Sequence, residues 1–183
     1  MKRSHLEHLI RASADIADDE EVVIIGSQAV LGQFPDAPPE LLVSMEADLY
    51  PLHHPERADV IDGSIGEGSP FHDAFGYYAQ AVAPSTAILP DGWRERMIPV
   101  RNANTRGATG WCLEIHDLVL SKLVAGRDKD LRFARGAMVH HLARPVVLYE
   151  RARSLPVSEE VRRIVLDRVR GASEASRPTE SRG

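Results

Sequence analysis

An apolar run that stops at a glycine and a serine, followed by a second run that ends in two carboxylates, constrains this chain most. Residues 22–25 are branched aliphatic, which favours a buried strand, and Gly26 and Ser27 follow them directly. The second run ends in Glu46 and Asp48. Side chains two residues apart point to the same face of a strand, so we expect these carboxylates to lie side by side at the strand's end.

Two carboxylates at such a short distance from each other predict a cation between them. Carboxylate oxygens are hard ligands, and an open site with only a few of them suits Mg²⁺ that also carries a substrate's phosphates. Gly26 and Ser27 have the matching chemistry, because glycine lets backbone N–H groups approach a phosphate and the serine hydroxyl can bond one of its oxygens. Each half alone also fits an ordinary structure, a solvated strand edge or a turn.

A third candidate lies further along the chain, around a lysine. A helix through residues 118–125 places Lys122 beside apolar side chains, where a half-buried ammonium needs an anion. Gly126 predicts the end of that helix, so Asp128 and Asp130 would lie in the first turn of the next one. The alternative is that Lys122 extends to solvent and that the charged residues form a surface turn.

In order and spacing, residues 26–30 (GSQAV), 44–48 (SMEAD) and 114–134 resemble the motifs of the minimal nucleotidyltransferases, which have the DNA polymerase β-like fold. The closest likeness is to the AbiEii and MenT-type toxins, and it covers roughly residues 20 to 140. In that family a Gly-Ser or Gly-Gly motif binds the triphosphate, a D-x-D holds Mg²⁺, a helix lysine contacts phosphate and a later aspartate completes the acidic site.

Carried onto this sequence, the resemblance implies a role for each matching residue. It implies nucleotide binding by Gly26, Ser27 and Lys122, metal binding by Glu46 and Asp48, and catalysis by Asp48, Lys122 and Asp130. Asp130 fits the family pattern better than Asp128. Glu46 departs from the pattern, because it is one methylene longer than the usual aspartate, which could shift the metal or weaken the catalyst.

The function that the resemblance implies is Mg²⁺-dependent transfer of a nucleoside monophosphate from an NTP to an acceptor hydroxyl, with release of pyrophosphate. If the resemblance extends to the substrate, the acceptor is the 3′ end of tRNA and a cognate antitoxin protein silences the chain. Two other functions stay open: nucleotidylation of a small-molecule or protein hydroxyl, and a non-catalytic protein of this fold that binds a partner.

Charge divides the chain into two unlike parts. Residues 1–119 contain 8 Lys and Arg against 19 Asp and Glu, whereas residues 120–183 contain 14 against 8. Most of the later cations are arginines, whose planar guanidinium suits phosphate, so this part predicts a docking surface for RNA. The alternative is a solvated helix face in a chain with an arginine-rich composition.

Length and hydropathy limit the class of protein. A chain of 183 residues suffices for one domain with a helical appendage. No apolar run approaches the ~18 residues of a membrane span, and the first residues are too polar for a signal peptide, so we expect a cytoplasmic protein without a membrane partner. The single cysteine, Cys112, follows Trp111 in an apolar run and is expected in the core rather than as a nucleophile.

Hydrophobic periodicity predicts an α/β (α+β) fold, with a mixed sheet core flanked by helices and a C-terminal helical region. We assign residues 1–116 to the core, 117–171 to the helical region and 172–183 to a disordered tail. The expected strands are 21–26, 41–49, 77–82, 86–89, 96–100 and 111–115. The expected helices are 3–17, 27–34, 56–62, 117–125, 128–142, 146–153 and one that begins at Ser158.

Two further patterns carry less weight. The glycine-rich segment 63–68 lacks the Lys-Ser or Lys-Thr of a phosphate-binding P-loop, so we expect a loop there. The histidine pairs at 53–54 and 140–141 have no further ligand at zinc-like spacing, which favours surface or packing roles.

Overall fold

The computed structural model describes residues 1–174, which form two compact units. The first unit comprises Met1–Ala87 and Gly92–Glu114, and the second comprises Ile88–Asp91 and the described chain from Ile115 onward. The first contains a five-stranded mixed sheet with helices, and the second is helical. These observations confirm the predicted fold class.

The first unit contains every strand of the described chain and four helices. Its helices are α1 (Arg3–Ala17), α2 (Val30–Gln33), α3 (Ala58–Ile65) and α4 (Pro70–Phe75). Its strands are β1 (Glu21–Ile24), β2 (Glu46–Pro51), β3 (Tyr78–Ala81), β4 (Ile98–Val100) and β5 (Thr109–Cys112). The second unit contains α5 (Ile115–Ala125), α6 (Asp128–Val139), α7 (Pro145–Ala152) and α8 (Glu159–Glu174).

The sheet has the order β3-β2-β1-β5-β4, with β1 at its centre. β1 is antiparallel to β2 and parallel to β5, β2 is parallel to β3, and β4 is antiparallel to β5. Val22, Val23 and Ile24 of β1 are completely buried. A run of branched aliphatic residues is stable at this position because both faces of a central strand are covered.

Two helices of the first unit pack closely on β5, and a glycine makes room at each contact. Ile10 of α1 lies over Gly110 of β5, in the space that a Cβ of Gly110 would fill. Gly32 of α2 lies against Cys112 of β5 in the same manner. Cys112 is fully buried, and its burial raises the pKa of the thiol to about 12, so the prediction of a core residue is confirmed.

Two predicted helix boundaries of the second unit are confirmed, the end of α5 and the start of α8. Gly126 ends α5 in the left-handed region, at φ 68°, as the sequence indicated. The guanidinium of Arg168 in α8 donates to the carbonyl oxygens of Leu123 and Val124, which satisfies the C-terminus of α5. Ser158 caps α8, because its hydroxyl accepts from the N–H of Val161. Among residues 1–174, no helix has both the length and the apolar character needed to cross a bilayer.

Two strand predictions were wrong. The strand expected at 41–49 begins only at Glu46, since Pro39–Leu41 form a 3₁₀ turn and residues 42–45 have no regular structure. Residues 86–89 form no strand, because Pro84–Thr86 make another 3₁₀ turn and Pro90 follows closely.

Several predicted helices have other bounds in the structure: 56–62 is found as Ala58–Ile65, 128–142 ends at Val139, and 27–34 divides into the 3₁₀ turn Ser27–Ala29 and α2. Two differences are larger. Helix α4 was missed, although Ser69 before Pro70 is a typical helix start and the Ser69 hydroxyl accepts from the N–H of His72. Helix α8 continues to Glu174, because Ala172 and Glu174 are compatible with helix. The remainder of the predicted disordered tail, 175–183, lies outside the described residues.

Packing of α2 on β5 generates a stability prediction. A Cβ on Gly32 would lie 2.5 Å from Cβ of Cys112, so Gly32→Ala should lower the free energy of unfolding by about 1–3 kcal/mol through overpacking. The matched control is Gly63→Ala in α3, where a Cβ meets nothing within 4 Å and should stabilise by roughly 0.5 kcal/mol. Urea unfolding of both variants measures the difference, and equal stability would contradict close packing at Gly32.

Candidate functional site

The predicted carboxylate pair lies at the start of β2, beside the end of β1. The N–H of Ile25 donates to the carbonyl oxygen of Asp48 at 3.0 Å, which ties the two strands together at this level. Glu46 and Asp48 are half-buried while Ala47 between them is fully buried, so the two carboxylates share one face of β2. The expectation that they lie at the end of their strand was wrong, because β2 begins at Glu46 and runs to Pro51.

Gly26 lies directly against the carboxylate of Asp48. A Cβ on Gly26 would lie 2.0 Å from Oδ2 of Asp48, much closer than non-bonded atoms approach. Its φ of −83° is open to any residue, so the need for glycine here is one of space rather than of backbone conformation. Ser27 follows, half-buried, as the first residue of the 3₁₀ turn Ser27–Ala29. The structure therefore brings four of the predicted residues together.

Sequence reasoning missed a tyrosine that joins this group. Tyr78 of β3 lies opposite Glu46 in the parallel pairing, and its hydroxyl donates to Oε2 of Glu46 at 3.1 Å. Burial, the hydrogen bond to Glu46 and the negative charges of Glu46, Glu67 and Asp48 raise the pKa of Tyr78 to about 12. The hydroxyl therefore stays a proton donor at neutral pH in a strongly negative environment.

The oxygen atoms of this group fit a divalent cation that brings further ligands with it. Glu46 and Asp48 supply hard carboxylate oxygens from one face of β2, as Mg²⁺ requires. Within residues 1–174, no group of three or more His, Cys, Asp or Glu side chains is arranged to hold a metal ion. A Mg²⁺ here would need phosphate oxygens and water to complete its octahedron, which is how this ion is usually held in nucleotide sites.

In the second unit, Lys122 and Asp130 form a buried ion pair. Nζ of Lys122 lies 3.3 Å from Oδ1 of Asp130, and the two residues are 8% and 1% exposed. Arg127 donates to both oxygens of Asp130, with its Nε 2.6 Å from Oδ2. The ring of Phe133 lies 5.9 Å from Nζ of Lys122. Asp128 is exposed, so Asp130 rather than Asp128 is the acid that pairs with Lys122.

The positively charged side chains of Arg127 and Lys122 determine the charge state of Asp130. Burial alone would raise the pKa of this carboxyl group, but the hydrogen bond from Arg127 and the charges of Lys122 and Arg127 outweigh burial and lower it. Asp130 is therefore ionised at neutral pH and is a weak proton acceptor. Its geometry suits holding the ammonium of Lys122 in place.

The glycine-rich segment and the two histidine pairs have positions in the structure that need no ligand to explain them. The loop expected over the glycine-rich segment 63–68 was partly wrong, because residues 63–65 form the last turn of α3. Only 66–68 lie outside the helices, between α3 and the cap residue Ser69 of α4. His53 is exposed, and its Nδ1 lies 3.0 Å from Oδ1 of Asp19; this hydrogen bond raises the pKa of His53. His140 and His141 follow the end of α6 and are exposed.

Several arginines of the basic part have partners inside the second unit. Arg151 pairs with the buried Asp117 at 3.0 Å. Arg162 donates to the carbonyl oxygens of Leu155 and Val157 and pairs with Glu159. Other arginines of the second unit are exposed, and they include Arg132, Arg135, Arg144, Arg153 and Arg163. Only part of the predicted basic surface is therefore exposed.

A mixed five-stranded sheet with a Gly-Ser turn beside a carboxylate pair is characteristic of a nucleotidyltransferase domain. The family model described as "Nucleotidyltransferase of unknown function (DUF6036)" matches residues 4–142, and the chain belongs to this family. No curated protein and no solved structure matches the chain. The family supports a transferase, whereas the likeness to AbiEii and MenT-type toxins remains a resemblance.

The buried Lys122–Asp130 pair predicts how the free energy of unfolding depends on pH. Asp130→Asn should lower the free energy of unfolding by about 3 kcal/mol at pH 7, because it leaves the buried Lys122 without its countercharge. A carboxylate with a lowered pKa stabilises the fold above its ordinary pKa and loses this effect as the pH falls through the lowered value.

The difference between wild type and Asp130→Asn should therefore shrink as denaturation is measured towards pH 3, which lies below the ordinary pKa of about 3.9. The control is Asp128→Asn, at an exposed position of the same helix turn, which should change stability by less than about 0.5 kcal/mol. A gap that stays constant over this pH range would contradict the ion-pair assignment.

Proposed function

We propose that this chain is a Mg²⁺-dependent nucleotidyltransferase that transfers a nucleoside monophosphate from an NTP to an acceptor hydroxyl. The observation that carries the proposal is the contact of Gly26 with the Asp48 carboxylate, on the strand face that also holds Glu46. A phosphate that approaches the Gly26-Ser27 backbone would lie next to both carboxylates. Membership in a nucleotidyltransferase family supports the same chemistry.

In the proposed reaction the acceptor oxygen attacks the α-phosphorus of the NTP. The bond to the α–β bridging oxygen breaks, pyrophosphate leaves, and the hydroxyl proton passes to solvent or to a leaving-group oxygen. Glu46 and Asp48 would hold Mg²⁺, which would neutralise the triphosphate and stabilise the attacking and leaving oxygens. Ser27 would donate its hydroxyl, and the backbone at Gly26 its N–H, to phosphate oxygens.

Lys122 is proposed to contact phosphate, as the resemblance implies. An ammonium must keep a defined position to bind an anion tightly, and the ion pair with Asp130 restricts Lys122 in this way. We assign Asp130 the role of positioning Lys122 rather than of deprotonating the acceptor, because its lowered pKa disfavours proton uptake.

A non-catalytic role is the second candidate, and one contact favours it. Glu46 stands where the resembled family has aspartate, and one of its oxygens accepts a hydrogen bond from Tyr78. A carboxylate engaged in this way could serve structure alone. A protein of this kind would bind nucleotide or a partner without transferring a nucleotide.

The direct test is Asp48→Asn, which removes one charge with almost no change in volume. We expect transfer of label from α-labelled NTPs in the presence of Mg²⁺ to fall by at least about two orders of magnitude, because a metal ligand is lost. Asp59→Asn, on the exposed side of α3, should keep full activity.

Total RNA, total protein and small-molecule hydroxyl compounds serve as acceptors, and the labelled product identifies both donor and acceptor. Mg²⁺-dependent transfer that survives in Asp48→Asn would contradict the metal assignment. A wild type that binds Mg²⁺ and NTP but labels none of the acceptors would support the non-catalytic candidate.

We further propose tRNA as the acceptor and a cognate antitoxin as the inhibitory partner, on the basis of the toxin resemblance. The exposed arginines of the second unit support this proposal, since the acidic part of the chain repels a polyanion. Mutation of exposed arginines tests this proposal. Arg162 is not suitable for such a test, because its guanidinium donates to the carbonyl oxygens of Leu155 and Val157 and its loss would disturb the fold.

Arg132 and Arg135 are better probes, because both are exposed on α6 and lie one turn apart. Changing both to Gln should weaken tRNA binding and reduce the slope of log affinity against log salt by roughly one to two. The matched control changes Arg101 and Arg106, which are exposed in the acidic part of the chain, to Gln with the same loss of charge.

Thermal stabilisation by Mg²⁺ and NTP should remain unchanged in both double variants. A slope near zero for the wild type, or no tRNA binding at all, would contradict an RNA acceptor and favour a small-molecule or protein hydroxyl.

A further inference from the structure

The contact between Tyr78 and Glu46 connects the sheet edge to the carboxylate pair. β3 is the outermost strand next to β2, and Tyr78 is its first residue. Tyr78 and Glu46 are direct partners in the parallel pairing, so their side chains lie on the same face of the sheet. The 3.1 Å hydrogen bond joins the tyrosine hydroxyl to Oε2 of Glu46.

The ring of Tyr78 is buried and contacts a side chain of α4. Tyr78 is 7% exposed, and the ring of His72 in α4 lies 4.6 Å from it, centroid to centroid. The Ser69 hydroxyl accepts from the N–H of His72 at the start of α4, which fixes the helix turn that carries this histidine. The hydroxyl of Tyr78 therefore has a defined position before any ligand binds.

Glu46 needs such a partner more than Asp48 does. Glutamate has one more rotatable bond than aspartate, so its carboxylate loses more conformational freedom when it binds a metal. The carboxylate of Asp48 packs against Gly26, whereas Tyr78 donates a hydrogen bond to that of Glu46. Groups that hydrogen-bond a metal ligand typically change metal affinity by about 10–100-fold when they are removed.

We propose that Tyr78 is a positioning residue that holds the carboxylate of Glu46 for the divalent cation it shares with Asp48. This inference rests on the proposed function, because it assumes that the carboxylate pair binds a metal. It also explains how the longer glutamate serves where the resembled family has aspartate: the tyrosine hydroxyl fixes the additional bond.

The test is Mn²⁺ binding followed by electron paramagnetic resonance, in the presence of a non-hydrolysable NTP analogue. Tyr78→Phe should weaken Mn²⁺ binding by about tenfold or more. The matched control is Tyr77→Phe, which removes the neighbouring hydroxyl; that hydroxyl lies 2.8 Å from Nδ1 of His8, so the control also loses a hydrogen bond. Tyr77→Phe should bind Mn²⁺ as the wild type does.

A double-variant comparison separates positioning from a general loss of structure. In a Glu46→Gln background, adding Tyr78→Phe should cause no further loss of Mn²⁺ affinity, because the group that Tyr78 holds has already lost its charge. Glu46→Asp provides a second route that leaves Tyr78 in place. Its shorter carboxylate is withdrawn from the tyrosine, so adding Tyr78→Phe to it should again change little.

The outcomes distinguish failure of the positioning role from failure of the metal site. Wild-type Mn²⁺ affinity in Tyr78→Phe, or an equal loss in the wild-type and Glu46→Gln backgrounds, would overturn the positioning role and leave the metal site standing. A wild type that binds no Mn²⁺ with the nucleotide analogue, and an Asp48→Asn variant that behaves identically, would overturn the metal site and the positioning role together.

Discussion

The antiparallel pairing of β1 with β2 is the constraint on which the candidate site depends. Because the two strands run in opposite directions, the residues that follow β1 lie beside the start of β2, which brings Gly26, two residues after β1, against Asp48. Gly26 and Asp48 are 22 residues apart in the sequence, so the contact between them exists only when the two strands pair. The absence of a side chain at Gly26 then decides how closely the carboxylate approaches the backbone.

Parts of the fold were predictable because their signals are local. The boundaries of α1, the break at Gly126 and the cap at Ser158 follow from hydrophobic spacing and from residues that favour helix ends. The start of β2 was not predictable in this way. Residues 41–45 have the apolar composition of a strand, but a neighbouring strand pairs only from Glu46 onward, and pairing is a property of the whole sheet.

The same distinction applies to the site. That Gly26, Ser27, Glu46 and Asp48 form one group could be predicted from motif order, because the phosphate and Mg²⁺ chemistry proposed for them restricts the choice of side chains. Tyr78 could not, since a tyrosine at a strand start is common and its partner is set by the β2–β3 register. The Lys122–Asp130 pair lies between these cases. Helix spacing predicted an acid near Lys122 and the family pattern favoured Asp130, but the ion pair itself and the exposure of Asp128 are seen only in the structure.

The position of β3 at the edge of the sheet has a dynamic consequence. An outermost strand is hydrogen-bonded on one side only and opens more readily than a central one such as β1. A carboxylate tethered to that strand through Tyr78 would move with it. Local opening of the sheet margin, which amide hydrogen exchange reports, would therefore loosen the hold of Glu46 on the proposed cation without any change at the Gly26–Asp48 contact.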